Sequence, residues 1–260
     1  MPDRPLILVT NDDGALARGI TALRKAAEAL GDVVVVAPTR EQSATSHAIT
    51  IDRPLRHIEH EAGVHSIDGT PADCVYLALF EPRFLPRRPD IVLSGINHGP
   101  NLGTSVFYSG TVAGAREAAL RGIPAIAFSA PVKADLPQVA QQCVQLAARL
   151  LTAPSVDGSA VLLNVNFPET HAQGVRVTRV GRQIYEENVI PRRDPGGREY
   201  FWIGGRLTDA GDREGTDAQA VSHGYVSVTA LALEATNPEH RHLAALVAGQ
   251  RESADNGERT

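Results

Sequence analysis

The sequence predicts an α/β fold built on a mostly parallel sheet, and three observations carry that prediction. Short continuous apolar runs recur through residues 6–168. Segments with apolar residues at helical spacing separate them, the pattern of βαβ units. Most runs then break into polar or glycine-rich loops, as buried parallel strands do where they leave a sheet. At 260 residues, 43% hydrophobic and 21% charged, the chain suits one large domain or a domain with an appendage.

The first strand is read at 6–9 (LILV), running into Thr10, Asn11, Asp12, Asp13 and Gly14. A helix near 18–30 leads to a second strand at 33–38 (VVVVAP); the third, fourth and fifth fall at 90–95, 125–130 and 161–168. Helical spacing covers 70–80, 111–120 and 136–151, with Thr70 as cap and Pro71 as first helical residue. Residues 49–68 alternate and read as a small hairpin or excursion. After Pro168 the character changes: 174–205 holds short alternating strands, basic residues and nearly all the late aromatics. Residues 216–233 return to a strand, a last helix occupies 238–250, and the end of the chain is expected to be disordered.

Composition excludes several function classes. A net charge of −5 speaks against a general nucleic-acid binder. No apolar run approaches the length of a membrane span, and the first fourteen residues do not read as a signal peptide. Cys74 and Cys143 sit in apolar helical surroundings and read as buried thiols, which makes the cytoplasm the expected location.

Chemistry collects at the predicted strand ends, which share one edge of a parallel sheet, the edge where ligands bind. Asp12 and Asp13 are adjacent carboxylates at a partly dry strand end, where they repel each other and resist desolvation. A hard divalent cation would remove that penalty. The competing reading is a turn or helix cap, for which Asn, Asp and Gly14 also suit. The second strand runs into the hydroxyl-rich loop 39–47, with Ser43 and His47. The third opens onto 94–118, which holds Asn97, His98 and Asn101, glycines at 95, 99, 103, 110 and 114 and hydroxyls at 104, 105, 109 and 111, and enters a helix at Thr111 or Val112. Ser109, Gly110 and Thr111 are read there as an anion cradle, since a helix start offers unpaired amides and a positive dipole end. Asn97 and Ser43 add neutral oxygens suited to Mg²⁺ or Mn²⁺ rather than zinc. His47 and His98 are acid/base candidates. A carboxylate pair beside an anion cradle points to phosphate-ester hydrolysis by metal-activated water, with a covalent aspartyl-phosphate as the competing route.

With these segments in view, the chain resembles the survival protein SurE family of metal-dependent nucleotidases. The resemblance rests on ILVTNDDG, VVAPTREQSATSHAIT, DGTPADCVYLAL, PDIVLSGINHGPNLGTSVFYSGTVAGAREA, LLNVNFP, RRDPGGREYFWIGG and TDAQAVSHGYVSVT, and spans most of 6–235. It implies a Rossmann-like three-layer core over 1–170 and a β-rich oligomerisation segment over 171–235, exchanged between subunits and returning to the core. A C-terminal helix at 236–251 and a disordered tail at 252–260 would follow. It implies one divalent metal per subunit on Asp12, Asp13, Ser43 and Asn97, with Asn11, Asn97 and 109–111 at the phosphate and with Asn11, Asp12 and Asp13 catalytic. The implied substrates are nucleoside 5′- and 3′-monophosphates, together with short polyphosphate. The implied assembly is a homodimer or homotetramer, without membrane or stable nucleic-acid partner.

Two departures stand out: Ala44 replaces the usual Gly after the metal-binding Ser, and Ala230 replaces a usual Pro. Ala resists the positive φ that Gly accepts, so the first bears on the Ser43 loop. An aspartyl-phosphate phosphatase of the haloacid dehalogenase type usually wants Asp-x-Asp, whereas Asp12 and Asp13 are adjacent. A non-catalytic nucleotide sensor gains little from two carboxylates facing an anion.

Overall fold

The computed structural model describes residues 4–154, 160–182, 184–185, 188–204, 207–209 and 213–249. The predicted tail at 252–260 lies outside the described residues. The five predicted core strands are β1 (Leu6–Thr10), β2 (Asp32–Pro38), β5 (Ile91–His98), β6 (Ala125–Ala130) and β7 (Leu162–Asn166). Between them run β3 (His57–Glu61), β4 (Val64–Ile67), α1 (Arg18–Ala27), α2 (Pro71–Phe80), α3 (Gly110–Leu120) and α4 (Leu136–Leu151).

A nine-stranded sheet takes the order β3-β4-β2-β1-β5-β6-β7 and continues through β13 (Val226–Ala230) to β8 (Val175–Thr178). From β4 to β7 every pairing is parallel. β3 and β13 run antiparallel to their neighbours β4 and β7. Alternate side chains of β1 enter different cores. Ile7 and Val9 pack with Ile20 and Leu23 of α1 and Val139 and Cys143 of α4. Leu6 and Leu8 pack with Cys74 and Val75 of α2 and Val112 and Ala115 of α3. Both faces of the sheet are therefore covered, which explains why its central strands read as unbroken apolar runs. Cys74 and Cys143 are free, buried thiols, as expected.

The structure refines the sequence reading in three places. The alternating stretch 49–68 is more than an excursion, because its hairpin β3–β4 extends the main sheet through β4 beside β2. The 216–233 stretch is a short helix, α5 (Asp217–Ser222), before β13, with Thr216 capping the Gln219 amide. The predicted 238–250 helix is a 3₁₀ turn (Pro238–His240) followed by α6 (Arg241–Val247). The late alternating strands form two small ribbons, β10 (Asn188–Arg193) with β11 (Glu199–Gly204) and β9 (Ile184–Tyr185) with β12 (Leu207–Asp209). Val189, Phe201, Trp202 and Ile203 are exposed on the first ribbon. Thr70 and Asp73 form a reciprocal capping box at the start of α2, with Pro71 first in the helix.

The approach of α1 to β5 sets how the site is held. A Cβ at Gly19, in the first turn of α1, would sit 2.0 Å from the Ile96 carbonyl oxygen, backbone against backbone. Gly19→Ala is therefore expected to push α1 off the end of β5 and to destabilise the protein by about 2–3 kcal/mol, the upper range for overpacking. A urea midpoint equal to that of the parent would refute the close approach.

Candidate functional site

At the carboxyl edge of the sheet a cleft of about 350 Å³ is lined by Asp12, Asp13, Ser43, Asn97, His98 and Ser109, with Glu41, Asn101, Ser105 and Tyr108 among the other lining residues. Residues read separately along the chain as metal ligands and as the anion cradle are thus brought together. They come from the loops after β1 and β2, the end of β5 and the loop before α3. Loop 39–47 is tied to the end of β1 by the Gln42 amide, which donates to the Asp12 carbonyl (2.7 Å).

Asp12 is 4% exposed, and the start of α3 wraps its carboxyl. The Thr111 hydroxyl donates to Oδ1 at 2.5 Å, and the Thr111 amide also donates to the carboxyl. A Cβ at Gly110 would meet Asp12 Cβ at 2.8 Å, so only glycine allows this approach. Burial nevertheless dominates: it raises the Asp12 pKa from 3.8 to about 6, against the Thr111 hydrogen bond and with a further rise from Asp13. Asp13 is also raised, by burial first; the His98 charge and backbone amide pull it down and Glu41 pushes it up. His98 Nδ1 lies 3.6 Å from Asp13 Oδ1. Asp13 Oδ2 is buried without a hydrogen-bond partner.

Neither carboxylate caps the following helix. α1 begins at Arg18 behind Ala17, with no side-chain cap, so the cap reading of the Asp pair fails on position, while the turn reading holds through Asn11 and Gly14. The donor set suits a hard cation: two adjacent carboxylates, one of which keeps an oxygen without a donor, and two neutral oxygens. The Asn97 amide nitrogen donates to the Gly99 carbonyl (2.8 Å), which leaves the carboxamide oxygen for a ligand. Ser43 donates to Glu41 Oε1 at 2.7 Å and keeps its lone pairs. Among the described residues no three His, Cys, Asp or Glu side chains are grouped to hold a metal. A site with two carboxylates and two neutral oxygens does not require such a group.

The other predicted residues divide between the cleft and the packing around it. Asn11 is fully buried and closes the turn at Gly14, donating to the Gly14 carbonyl at 3.0 Å and accepting its amide at 3.2 Å. Thr111 is fully buried beneath Asp12, so the anion met by this side chain is the protein's own carboxylate. Ser109 does line the cleft; its oxygen caps α3 by accepting the Val112 amide (3.1 Å), leaving its proton to donate. His98 lines the cleft, whereas His47 donates to buried Glu117 (2.8 Å), which also accepts from Arg121 (2.9 Å). Ala44 sits at φ +58° and Ser46 at φ +53°, so the residue departing from the family pattern does occupy the left-handed region.

Sequence reasoning missed the support for Asn101. Its amide donates to Asn166 Oδ1 (2.7 Å) and its side chain to Ser129 (2.8 Å). Its carbonyl accepts from Asn164 (2.8 Å) and Asn166 (3.1 Å). The asparagines at the end of β7 were the available signal. They fix the floor of the 94–118 loop.

The chain is similar to known proteins over most of its length. The family model described as Survival protein SurE matches residues 7–187. A protein of Sorangium cellulosum named 5′-nucleotidase SurE is 52% identical over 250 residues, covering 95% of this chain and 97% of the relative. A protein of the same name from Pelobacter propionicus is 48% identical over 237 residues, 89% of this chain and 94% of the relative. The crystal structure of the SurE protein from Aquifex aeolicus superposes with a TM-score of 0.82 at 41% identity, covering 94% of this chain and all of that one.

The raised Asp12 pKa has a sign that can be measured. Between 3.8 and about 6 the folded, metal-free protein holds a proton that the unfolded chain has released, so stability falls as pH rises through that window. The deficit above the window is on the order of 2–3 kcal/mol. In chelator, the stability advantage of Asp12→Asn over the parent should therefore grow from pH 4 to pH 6 and then level off. A pH-independent difference in denaturation free energy would contradict it.

Proposed function

The chain belongs to the survival protein SurE family, and on that footing we propose that it is a divalent-metal-dependent phosphomonoesterase hydrolysing nucleoside monophosphates to nucleoside and phosphate. The observation that carries the reading is the Asp12–Asp13 pair, the first buried and the second partly buried with one unpartnered oxygen, facing a cleft that also presents Ser43, Asn97 and Ser109. Support for the substrate class comes from the names of relatives that match nearly end to end. We extend the reading to 5′- and 3′-monophosphates and to short polyphosphate.

One Mg²⁺ or Mn²⁺ per subunit would be held by Asp12, Asp13, Ser43 and Asn97; bound there, it would acidify a water and polarise a phosphoryl oxygen. Thr111 keeps the Asp12 carboxyl oriented, and Asn11 holds the turn on which both carboxylates stand. Ser109 donates its proton to a phosphate oxygen from the mouth of α3, where the dipole favours negative charge. His98, on the rim beside Asp13, is the group placed to protonate a departing alkoxide. His47 instead steadies the Ser43 loop through Glu117. Tyr108, 67% exposed at the cleft, offers a ring face to the base.

We assign 1–170 as the catalytic core and 171–235 as an oligomerisation segment exchanged between subunits of a dimer or tetramer. The exposed aromatic ribbon supports that assignment. No helix among the described residues is long and apolar enough to cross a membrane, and the buried free thiols favour a reducing, cytoplasmic setting.

Purified protein with Mg²⁺ or Mn²⁺ is expected to release phosphate from a panel of 5′- and 3′-nucleotides and short polyphosphate, and chelator should abolish release. Asp12→Asn should lower kcat by roughly 10²–10³-fold, the scale for losing a central electrostatic group, while melting no lower than the parent above pH 6. Silence across the whole panel, or a fully active Asp12→Asn, would sink the reading. Tyr108→Ala should raise KM for nucleotides about 10-fold through lost stacking and leave KM for ribose 5-phosphate unchanged; equal effects on both would remove the ring from base binding.

A further inference from the structure

Asp217 is fully buried at the start of α5, far along the chain from the cleft residues. Its carboxylate accepts three backbone amides: Gly103 on Oδ2 (2.9 Å), and Gly181 (2.8 Å) and Ala218 (2.9 Å) on Oδ1. A buried carboxylate that meets backbone amides rather than cations is held by geometry, and each amide loses its partner if the carboxylate moves. Two of these donors matter for function. Gly103 opens the 3₁₀ turn Gly103–Phe107, in the left-handed region at φ +53°. From that turn the chain passes Ser105, Tyr108 and Ser109 along the cleft wall. Gly181 lies where the chain departs for the small ribbons, and Asp217 where it comes back.

The two ends are drawn together further. The Asp217 amide donates to the Arg179 carbonyl (3.0 Å), the Arg179 amide to the Gly215 carbonyl (3.0 Å), and Arg179 bridges Thr216. A Cβ at Gly181 would lie 3.0 Å from Asp217 Oδ1, so a side chain there would press the carboxylate aside by a few tenths of an ångström. The same carboxylate thus grips the base of the β-rich segment with one oxygen and the cleft wall with the other.

We propose that Asp217 is a positioning residue for the reaction, transmitting the seating of the 181–217 segment to the substrate wall of the cleft through the Gly103 amide. The metal-binding side chains of β1, β5 and loop 39–47 stand outside this linkage. Loosening it therefore costs substrate binding and leaves the rest of the site in place. The kinetic readout rests on the phosphatase reading above; a second readout does not.

Asp217→Asn keeps the volume but turns one acceptor into a donor facing a donor. In full-length protein, hydrogen–deuterium exchange of peptides covering 102–109 and 178–182 should accelerate at least 10-fold, with β1 and α1 unchanged. Nucleotide KM should rise at least fivefold with kcat within twofold of the parent. A merely structural role would instead lower kcat with the folded fraction at constant KM. Gly181→Ala, which presses on the carboxylate without altering its charge, should move KM and exchange in the same direction and serves if Asp217→Asn does not fold. Unchanged exchange over 102–109, or unchanged KM in variants of an active parent, would overturn the proposal. A parent without turnover would count against the phosphatase reading alone, and exchange would still decide the linkage.

Discussion

Everything at this sheet edge answers to one electrostatic constraint: two consecutive carboxylates, Asp12 buried and Asp13 partly buried, stand where β1 ends. Asp12 is 4% exposed, and its neighbour keeps an oxygen with no donor. Backbone geometry sends adjacent side chains in different directions, so the pair is met by different parts of the molecule. Asp12 meets the start of α3, whose Thr111 hydroxyl and amide partly offset its desolvation. Asp13 faces His98 and the open cleft. Asp12 is braced by the fold, whereas Asp13 keeps an oxygen without a donor, where the proposed cation would offset the cost.

That bracing dictates the local sequence. α3 can reach Asp12 only because Gly110 has no side chain, and Gly114 one turn on lets the helix lie close to Thr10 and Ser94. Ser109 must cap the helix, yet it also lines the cleft. The glycines and hydroxyls of the 94–118 loop therefore serve two ends: close packing on β1 and a polar wall for the cleft. A flexible loop would need the glycines but not the Asn101 anchor, whose four hydrogen bonds hold it to the ends of β6 and β7.

The strands, the sheet edge and six of the cleft-lining side chains were legible in the sequence, because each follows from local pattern. Apolar runs mark strands; polar residues at their carboxyl ends mark the site. What stayed hidden depends on contacts between distant segments. Thr111 and Gly110 read as substrate-facing, and only the packing of α3 on β1 turns them towards Asp12. His47 and His98 looked alike until buried Glu117 claimed the first and Asp13 the second. Asp217 carried no signal beyond a helix-cap context, since its partners lie at Gly103 and Gly181. The hairpin at 49–68 alternates whether it stands alone or extends a sheet; the free edge of β2 decides that.

Ala44 shows how the site tolerates a poor local choice. A left-handed alanine costs about 1–2 kcal/mol relative to its preferred conformations, and Ser46 repeats the strain two residues on. Such a loop persists only where its surroundings over-determine it. They do so here: the Gln42 amide is fixed to Asp12, and Thr45 Oγ1 donates back to the Gln42 carbonyl (2.8 Å). The Ser46 amide and hydroxyl bind the Tyr108 and Phe107 carbonyls at 3.0 and 2.6 Å, and His47 is anchored on Glu117. Apart from the Thr45 bond within the loop, each contact joins it to the end of β1, to the segment entering α3 or to α3 itself, the elements that carry Asp12 and Ser109. Ser43 is consequently placed by the same framework that places the carboxylates. Its hydroxyl is held at the cleft by contacts within the protein, an ordering that binding need not supply.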